Sequence, residues 1–194
     1  MDYIIAHKVP GQYDNQSDDA LVRITEGQPE AFGILYRRHV TPIYRYIVAR
    51  VGHESDAQDI TTETFMAALQ GIRTYRGTDR FRSWLFGIAR NKVAMYYRQH
   101  SSTLSLEAAE DVPHPDPTPD VVIDKQLRLR RISRILKVLS PDRAEAVTLS
   151  LIVGLSTAEI AKLMSRSEAA IRMLVYRGVK DLRERLIDSA EDEL

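Results

Sequence analysis

Apolar residues recur every three to four positions along most of the chain, which is the spacing of one face of an amphipathic helix. In the first half, this pattern predicts three helices. The first begins at Pro29, because proline is tolerated in the first helical turn, and it ends at Gly52. The second covers 56–72, and the third begins near Phe81. No stretch alternates apolar and polar positions as a half-buried strand does, so the pattern predicts an all-α protein.

The second and third helices are expected to bury one face each. Ser55-Asp56 is predicted to cap the second helix, whose apolar face consists of Ile60, Phe65, Met66 and Leu69. The apolar arc of the third helix, predicted as core, consists of Phe81, Trp84, Leu85, Ile88 and Met95. Lys92 falls inside that arc, so the pattern is not clean. The opposite face carries Ser83, Arg90, Ala94, Tyr97 and Arg98, with Asn91 at the edge.

The second half of the chain is also helical by pattern. Four segments are predicted, at roughly 122–139, 141–153, 156–164 and 168–187. Ser140-Pro141 is a typical start signal, and Gly154 is a typical stop. Ser156 stands three positions before Glu159, which is the spacing of a capping box.

A proline-rich segment separates the two halves. The stretch SSTLSLEAAEDVPHPDPTPD has four prolines, several Ser and Thr, and neither Lys nor Arg. Proline removes amide donors and blocks helix, so this composition predicts an extended linker. The predicted architecture is two helical domains joined by an extended, acidic, Pro-rich linker. Its divisions are a flexible N-terminal segment 1–17, a domain 18–100, a linker 101–123, a domain 124–187 and an acidic tail 188–194.

The last two helical segments have the pattern of a helix-turn-helix. The first is about eight residues long, with Ile160, Ala161 and Leu163 expected to point inward. A tight turn at Ser165-Arg166 follows, and Ser167 can cap the second helix. The apolar stripe of that helix consists of Ile171, Leu174, Val175, Gly178 and Leu182. Its outer face offers Arg172, Met173, Tyr176, Arg177 and Lys180, and a helix that enters a major groove needs long donors on that side. The alternative is an amphipathic hairpin whose arginines only solvate it.

The formal net charge is zero, but the charges are unevenly distributed. Residues 18–100 carry +3 and residues 125–183 carry +8, while the spacer 101–124 between them carries −6. Within the first block, residues 73–98 hold seven Arg or Lys against one Asp. Basic blocks are the electrostatic signature of phosphate-backbone binding, although chance clustering of surface charge is the alternative for either block alone.

Composition argues against several other classes of protein. There are no cysteines, so disulfides and thiolate metal sites are excluded. The five histidines are scattered, and no phosphate-binding glycine loop or nucleophile elbow is present, so neither an enzyme nor a metal or cofactor site is expected. A membrane span and a secretory signal are not expected either, and the predicted location is the cytoplasm.

Four stretches in this order resemble a bacterial RNA polymerase sigma factor of the extracytoplasmic-function (ECF) type, over about residues 18–187. EAFGILYRRHVTPIYRYI is similar to the first helix of the N-terminal domain, and DAQDITTETFMAAL to the helix that docks on the polymerase clamp. FRSWLFGIARNKVAMYYR resembles the helix that melts and reads the −10 element. The stretch from LSPDRAEAV to VKDLRERL resembles the domain that reads the −35 element. Ser165 departs from the pattern, because a glycine is usual in that turn.

The resemblance implies roles for particular residues. The residues implied in −35 recognition are Ser167, Arg172, Met173, Tyr176, Arg177 and Lys180. Those implied in holding the melted −10 strand, where base stacking adds to charge, are Arg76, Arg80, Arg90, Asn91, Tyr97 and Arg98. Those implied in polymerase binding are Asp56, Asp59, Glu63 and Phe65, for which an ordinary solvated face is the alternative.

The resemblance also implies partners. These are the clamp and flap of core RNA polymerase, promoter DNA and an anti-sigma factor, with neither a small-molecule substrate nor membrane insertion. The acidic linker is expected to follow the RNA exit path, or else to be a simple tether. A stand-alone helix-turn-helix regulator remains the alternative to a sigma factor, although the chain lacks the heptads of a dimer and the region 56–98 would then have no role.

Overall fold

A computed structural model of the chain describes residues 13, 15–77, 81–100 and 120–191, with the side chains of 120–128 and 186–191 left aside. These parts of the chain contain helices and no strand, which confirms the all-α prediction. The N-terminal module, residues 18–100, contains α1 (Asp18–Ile24), α2 (Pro29–Val51), α3 (Glu54–Gly71), a 3-10 turn (Ile72–Thr74) and α4 (Phe81–His100). The C-terminal module, residues 120–191, is formed by α5 (Asp120–Lys137), α6 (Pro141–Val147), a π turn (Thr148–Ile152), α7 (Thr157–Met164) and α8 (Glu168–Glu191).

Most predicted helix limits agree with the structure, and three differ. Helix α3 starts at Glu54 after His53, without a side-chain cap, so the predicted Ser55-Asp56 cap is wrong. Helix α5 starts at Asp120, so the last residues of the predicted linker are helical, while 101–119 lie outside the described residues. Helix α8 continues to Glu191, beyond the predicted start of the acidic tail.

Helix α1 has no counterpart in the sequence prediction. Ser17 caps it by accepting a hydrogen bond from the amide of Ala20. Asp18, in its first turn, accepts from Arg38 Nη1 at 2.8 Å and lies 2.6 Å from His39 Nε2. Burial raises the pKa of Asp18, but hydrogen bonds from His39 and Arg38, together with their positive charge, outweigh burial and leave it below its ordinary value. These contacts attach α1 to α2.

The core of the N-terminal module is aromatic and aliphatic. Tyr46 and Phe86 meet edge to face with their ring centroids 5.7 Å apart, and Phe81 packs against Tyr75 and His39. The side chains buried on α4 are Phe81, Leu85, Phe86, Ala89 and Val93. Trp84 and Ile88 are partly buried against this core, but Met95 is 41% exposed, so its predicted burial is wrong.

Lys92 explains the irregular pattern of α4. Its ammonium group lies 2.9 Å from Glu63 Oε2 on α3, so the charge that interrupts the apolar arc is paired with a neighbouring helix. Met66 and Leu69 of α3, predicted as core, are 56% and 48% exposed. The buried side of α3 includes Thr61 and Thr64, whose hydroxyls donate to backbone carbonyls one turn earlier, of Ala57 and Ile60. The buried stripe is therefore rotated from the one that hydrophobicity alone predicts.

The two modules pack against each other. Helix α2 contacts α5 and the π turn, and α4 contacts α7. One cluster of buried side chains runs through both modules and includes Ala146, Leu149, Ile160 and Ile171 of the C-terminal module. Gly52 ends α2 with φ +84°, and a Cβ there would stand 2.6 Å from Cβ of Ser133 on α5. Glycine at 52 is therefore required both by the backbone conformation and by the close approach of α5.

Candidate nucleic-acid and polymerase interfaces

The helix-turn-helix forms as its sequence predicts. Ser156 and Glu159 complete a capping box at the start of α7. Burial raises the pKa of Glu159, but hydrogen bonds from Ser156 and the neighbouring charge of Arg82 bring it below its ordinary value. Ser165 takes a left-handed conformation in the turn (φ +53°), which is unusual for a residue with a side chain. Ser167 then caps α8 by accepting a hydrogen bond from the amide of Ala170 at 3.2 Å.

Helix α8 divides into an inner and an outer side. Ile171 is buried, Leu174, Val175 and Leu182 are partly buried, and Gly178 lies against α6, where a Cβ would stand 2.6 Å from Val147 Cγ2. The outer row is exposed and consists of Ser167, Arg172, Met173, Tyr176, Arg177 and Lys180. We call it the −35 surface, after the role that the family resemblance implies for it. The structure thus brings together all six residues predicted for this surface.

Two cations of the −35 surface have acidic neighbours on their own helix. Arg172 lies 3.5 Å from Glu168, and Lys180 lies 3.6 Å from Glu184, each one turn away. Both pairs are largely exposed, and exposed pairs of this kind contribute little stability. A phosphate can therefore replace either carboxylate at small cost.

Some of the residues predicted to hold the −10 strand are exposed, and others are partly buried. Arg76, Asn91 and Arg98 are exposed. Arg80 lies outside the described residues. Arg90 and Tyr97 face the C-terminal module. The Tyr97 hydroxyl donates to the carbonyl oxygen of Arg50, on α2 of its own module, and burial raises the pKa of Tyr97. Tyr97 is partly buried beside Ser133, Leu136 and Lys137 of α5, so the expectation that it is exposed is wrong.

The acidic side of α3 lies beside α4 and forms a groove with it, with a cavity of about 250 Å³. Asp56 accepts a hydrogen bond from Tyr96 at 2.8 Å, Glu63 pairs with Lys92, and Asp59 is exposed. Phe65 is only 5% exposed and packs edge to face on Tyr36, 4.7 Å between ring centroids. Its side chain belongs to the core and is not a surface contact, which corrects the prediction. The exposed apolar neighbours on this side are Tyr36, Met66 and Leu69.

A polar cluster between the modules was not predicted. Tyr46 on α2 donates to both carboxylate oxygens of Glu145 on α6, at 2.9 and 3.0 Å. Burial, reinforced by the negative charge of Glu145, raises the pKa of Tyr46 well above its ordinary value, so its hydroxyl remains a donor. Arg50 and Arg90 approach the same carboxylate to 3.9 and 3.8 Å. The one sign of this cluster in the sequence is Glu145, a carboxylate between two small apolar residues, Ala144 and Ala146, and all three are buried on α6.

Other polar contacts join the modules. The carbonyl oxygen of Arg50 also accepts a hydrogen bond from Ser133 of α5, at 2.9 Å. Arg82 of α4 pairs with Glu159 of α7 at 2.9 Å, at a more exposed position. Beside the Glu145 cluster lies a cavity of about 440 Å³, to which both modules contribute lining residues.

Comparison with known proteins agrees with this architecture. The profile of Sigma-70 region 2 matches residues 35–103, and that of Sigma-70 region 4 matches residues 129–182. The chain is 38% identical over 172 residues to the ECF RNA polymerase sigma factor BldN of Streptomyces coelicolor, covering 87% of this chain and 65% of BldN. It is 31% identical to the RNA polymerase sigma factor CarQ of Myxococcus xanthus, covering 84% of this chain and 94% of CarQ.

The solved structure of CnrH, a sigma factor of Cupriavidus metallidurans, in complex with the cytosolic domain of CnrY is also similar. It aligns with a TM-score of 0.69 and 26% identity, over 89% of this chain and 97% of CnrH. The chain belongs to the sigma-70 family of RNA polymerase sigma factors, to its ECF type. It is therefore a factor of transcription initiation that acts through promoter recognition, a regulatory protein by class. None of the helices in the described ranges combines the length and apolar content that a bilayer crossing requires.

Proposed function

We propose that this chain binds core RNA polymerase, uses α8 to recognise the −35 element and α4 to hold the melted −10 strand, and has no catalytic activity of its own. The observation that carries the proposal is the exposed row of donors on α8, supported from behind by the close contact of Gly178 with α6. Long side chains on one side of a rigid helix are what major-groove recognition needs. Arg172 and Arg177 supply guanidinium groups for guanine edges or phosphates, and Tyr176 supplies a hydroxyl for phosphate.

The N-terminal module would hold single-stranded DNA along α4. Arg76, Asn91 and Arg98 are exposed there. Arg90 and Tyr97 would join them when the C-terminal module moves away. A positive groove with aromatic side chains binds single strands with little dependence on sequence, because phosphates attract the cations and every base has a face that can stack. Arg80 keeps its proposed role from the family resemblance.

The polymerase would bind the side of α3 that carries Asp56, Asp59 and Glu63. Two features support this proposal. The three carboxylates lie along one edge of a groove. Exposed Met66 and Leu69, with Tyr36 of α2, add an apolar area of the kind that marks protein interfaces. The contacts of Asp56 with Tyr96 and of Glu63 with Lys92 would stiffen these side chains before binding.

Two further interactions follow from the family resemblance. The acidic linker 101–123 would lie along the polymerase between clamp and flap, where its negative charge can imitate a nucleic acid strand. The structure of CnrH contains the cytosolic domain of CnrY. We propose that this chain also has a protein partner, an anti-sigma factor that holds it inactive in the cytoplasm.

Run-off transcription with purified core polymerase on candidate promoters tests the function. The full chain should bind core enzyme and start transcripts at specific sites. Arg177→Gln should weaken promoter binding and lower the slope of log K against log salt by about 0.9, the loss expected for one phosphate contact on duplex DNA. Arg131→Gln, at an exposed position of α5, removes the same charge away from the −35 surface and should leave binding unchanged. A chain that binds DNA without associating with core enzyme would instead be a stand-alone regulator.

A further inference from the structure

The Tyr46, Arg50 and Arg90 side chains form a cradle for one acidic group. Tyr46 and Arg50 lie one turn apart on α2, and Arg90 reaches the same place from α4. Glu145, only 5% exposed, occupies the cradle from the C-terminal module. Its carboxylate accepts the Tyr46 hydroxyl at 2.9 and 3.0 Å. All three donors thus come from the N-terminal module, and the acceptor comes from the other.

The carboxylate does not use all the donors of the cradle. Arg50 Nη1 and Arg90 Nε are 3.9 and 3.8 Å from its oxygens, beyond hydrogen-bonding distance. Within the described parts of the chain, Arg50 Nε and Nη1 are buried without a hydrogen-bond partner. Leaving buried charged donors without acceptors costs free energy. A phosphate offers more acceptor oxygens than a carboxylate and suits the planar fork of a guanidinium group.

The cradle is continuous with the surface proposed to hold the −10 strand. Arg90 belongs to both, and Tyr97 lines the same 440 Å³ cavity as Tyr46 and Arg50. A strand lying along α4 would therefore pass the cradle once the C-terminal module has moved away. Glu145 already lies between the three side chains and accepts the Tyr46 hydroxyl. A strand phosphate therefore cannot occupy the cradle while Glu145 is in it.

We propose that the cradle of Tyr46, Arg50 and Arg90 is a binding site for a backbone phosphate of single-stranded promoter DNA, and that Glu145 occupies it as a phosphate mimic when the two modules are packed together. The inference rests on the proposed function and adds Tyr46 and Arg50 to the DNA-binding residues. It makes the C-terminal module an intramolecular competitor of the melted strand. The cradle is exposed when the two modules separate, and Glu145 occupies it when they pack together.

Binding of a fluorescein-labelled, mixed-sequence single-stranded oligonucleotide to the full chain, followed by anisotropy over a range of salt concentrations, tests the proposal. Glu145→Gln keeps the shape of the side chain and removes its charge, so we expect affinity to rise at least about threefold, as a charged competitor is lost. Arg50→Gln in the Glu145→Gln background should lower affinity and reduce the salt slope by about 0.7, the value for one phosphate contact on a single strand.

Glu159→Gln is the matched control. It weakens an ion pair between the modules at a different place, Arg82–Glu159, without vacating the cradle. If Glu159→Gln raises the affinity for the oligonucleotide as much as Glu145→Gln does, Glu145 only holds the modules together. The proposal that it mimics a phosphate would then be wrong. If Arg50→Gln leaves both affinity and slope unchanged, the cradle does not bind phosphate. Circular dichroism checks that each variant folds, and Arg90→Gln replaces Arg50→Gln should the latter unfold.

Run-off transcription with core polymerase separates this inference from the proposed function. A wild-type chain that neither binds core enzyme nor supports transcription would overturn the function, whatever the oligonucleotide data show. Normal transcription by the wild type, together with unchanged strand binding by the cradle variants, would overturn the cradle and leave the function intact.

Discussion

The Tyr46 hydroxyl donates to both carboxylate oxygens of Glu145, at 2.9 and 3.0 Å, although the two residues are 99 positions apart in the chain. Tyr46 is 1% exposed and Glu145 is 5% exposed. The contact therefore lies in the interior, between two helices that belong to different modules. It couples the arrangement of the modules to a single buried acidic group.

Removing this hydroxyl should destabilise the packed arrangement. Tyr46→Phe leaves the buried Glu145 without its nearest donor, and an unsatisfied buried acceptor costs about 1–3 kcal/mol. We expect the free energy of unfolding in urea, followed by circular dichroism, to fall by that amount. Tyr36→Phe is the control, because Tyr36 is 43% exposed and substitutions at such positions usually change stability by less than about 0.5 kcal/mol. Equal stability of both variants would show that the Tyr46 contact contributes nothing.

The close approach of α6 and α8 makes a prediction at Gly178. An added Cβ would stand 2.6 Å from Val147 Cγ2, so Gly178→Ala should push the helices apart and cost about 1–3 kcal/mol. Gly87→Ala is the matched control, because nothing lies within 4 Å of the Cβ position of this glycine in α4. Alanine there should add about 0.5–1 kcal/mol of helix stability. Thermal unfolding of the two variants should shift in opposite directions, and a shift in the same direction would contradict the packing argument.

The lowered pKa of Asp18 predicts that the stability of the fold depends on pH. Its pKa in the folded chain lies below the 3.8 of an unperturbed aspartate, because bonds from His39 and Arg38 outweigh the opposing effect of burial. The stabilisation is therefore present above pH 3.8 and is lost as the pH falls through the lower, folded value. The free energy of unfolding of Asp18→Asn should decline less steeply across this acid range than that of the wild type.

Asp59→Asn serves as the control for Asp18, since Asp59 lies exposed on α3. Its acid-range slope should match that of the wild type. If the free energy of unfolding of Asp18→Asn also declines as steeply with falling pH as that of the wild type, the contacts of Asp18 do not contribute to acid sensitivity.

The turn of the helix-turn-helix carries local strain at Ser165, which has φ +53°. Ser165→Gly should relieve it and raise the free energy of unfolding by about 0.5–1 kcal/mol, since glycine adopts positive φ without steric cost. Ser165→Ala keeps the Cβ and should bring no such gain. Urea denaturation of the two variants distinguishes relief of backbone strain from loss of the hydroxyl, because only the second effect is common to both.

Local features were predictable because their causes are local. The Ser156–Glu159 capping box, the stop at Gly52 and the exposed row on α8 depend on residues within one or two helical turns of each other. Burial on α3 and α4 was less predictable. Met66, Leu69 and Met95 are apolar but exposed. Thr61 and Thr64 are buried, which is tolerated because their hydroxyls donate to backbone carbonyls of the helix. The spacing of apolar residues gives the period of a helix, but it does not determine which side of that helix the neighbouring helices cover.

By itself, the sequence determined the all-α class, the helix-turn-helix and the charge pattern, because helix period, caps and turn residues act over short distances. The tertiary structure decided which residues meet across the chain. It paired Lys92 with Glu63, placed Phe65 in the core, and set Glu145 among Tyr46, Arg50 and Arg90. The physical reason is that a buried charge is tolerated only where partners surround it, and partners 99 positions away are brought together by the packing of whole modules.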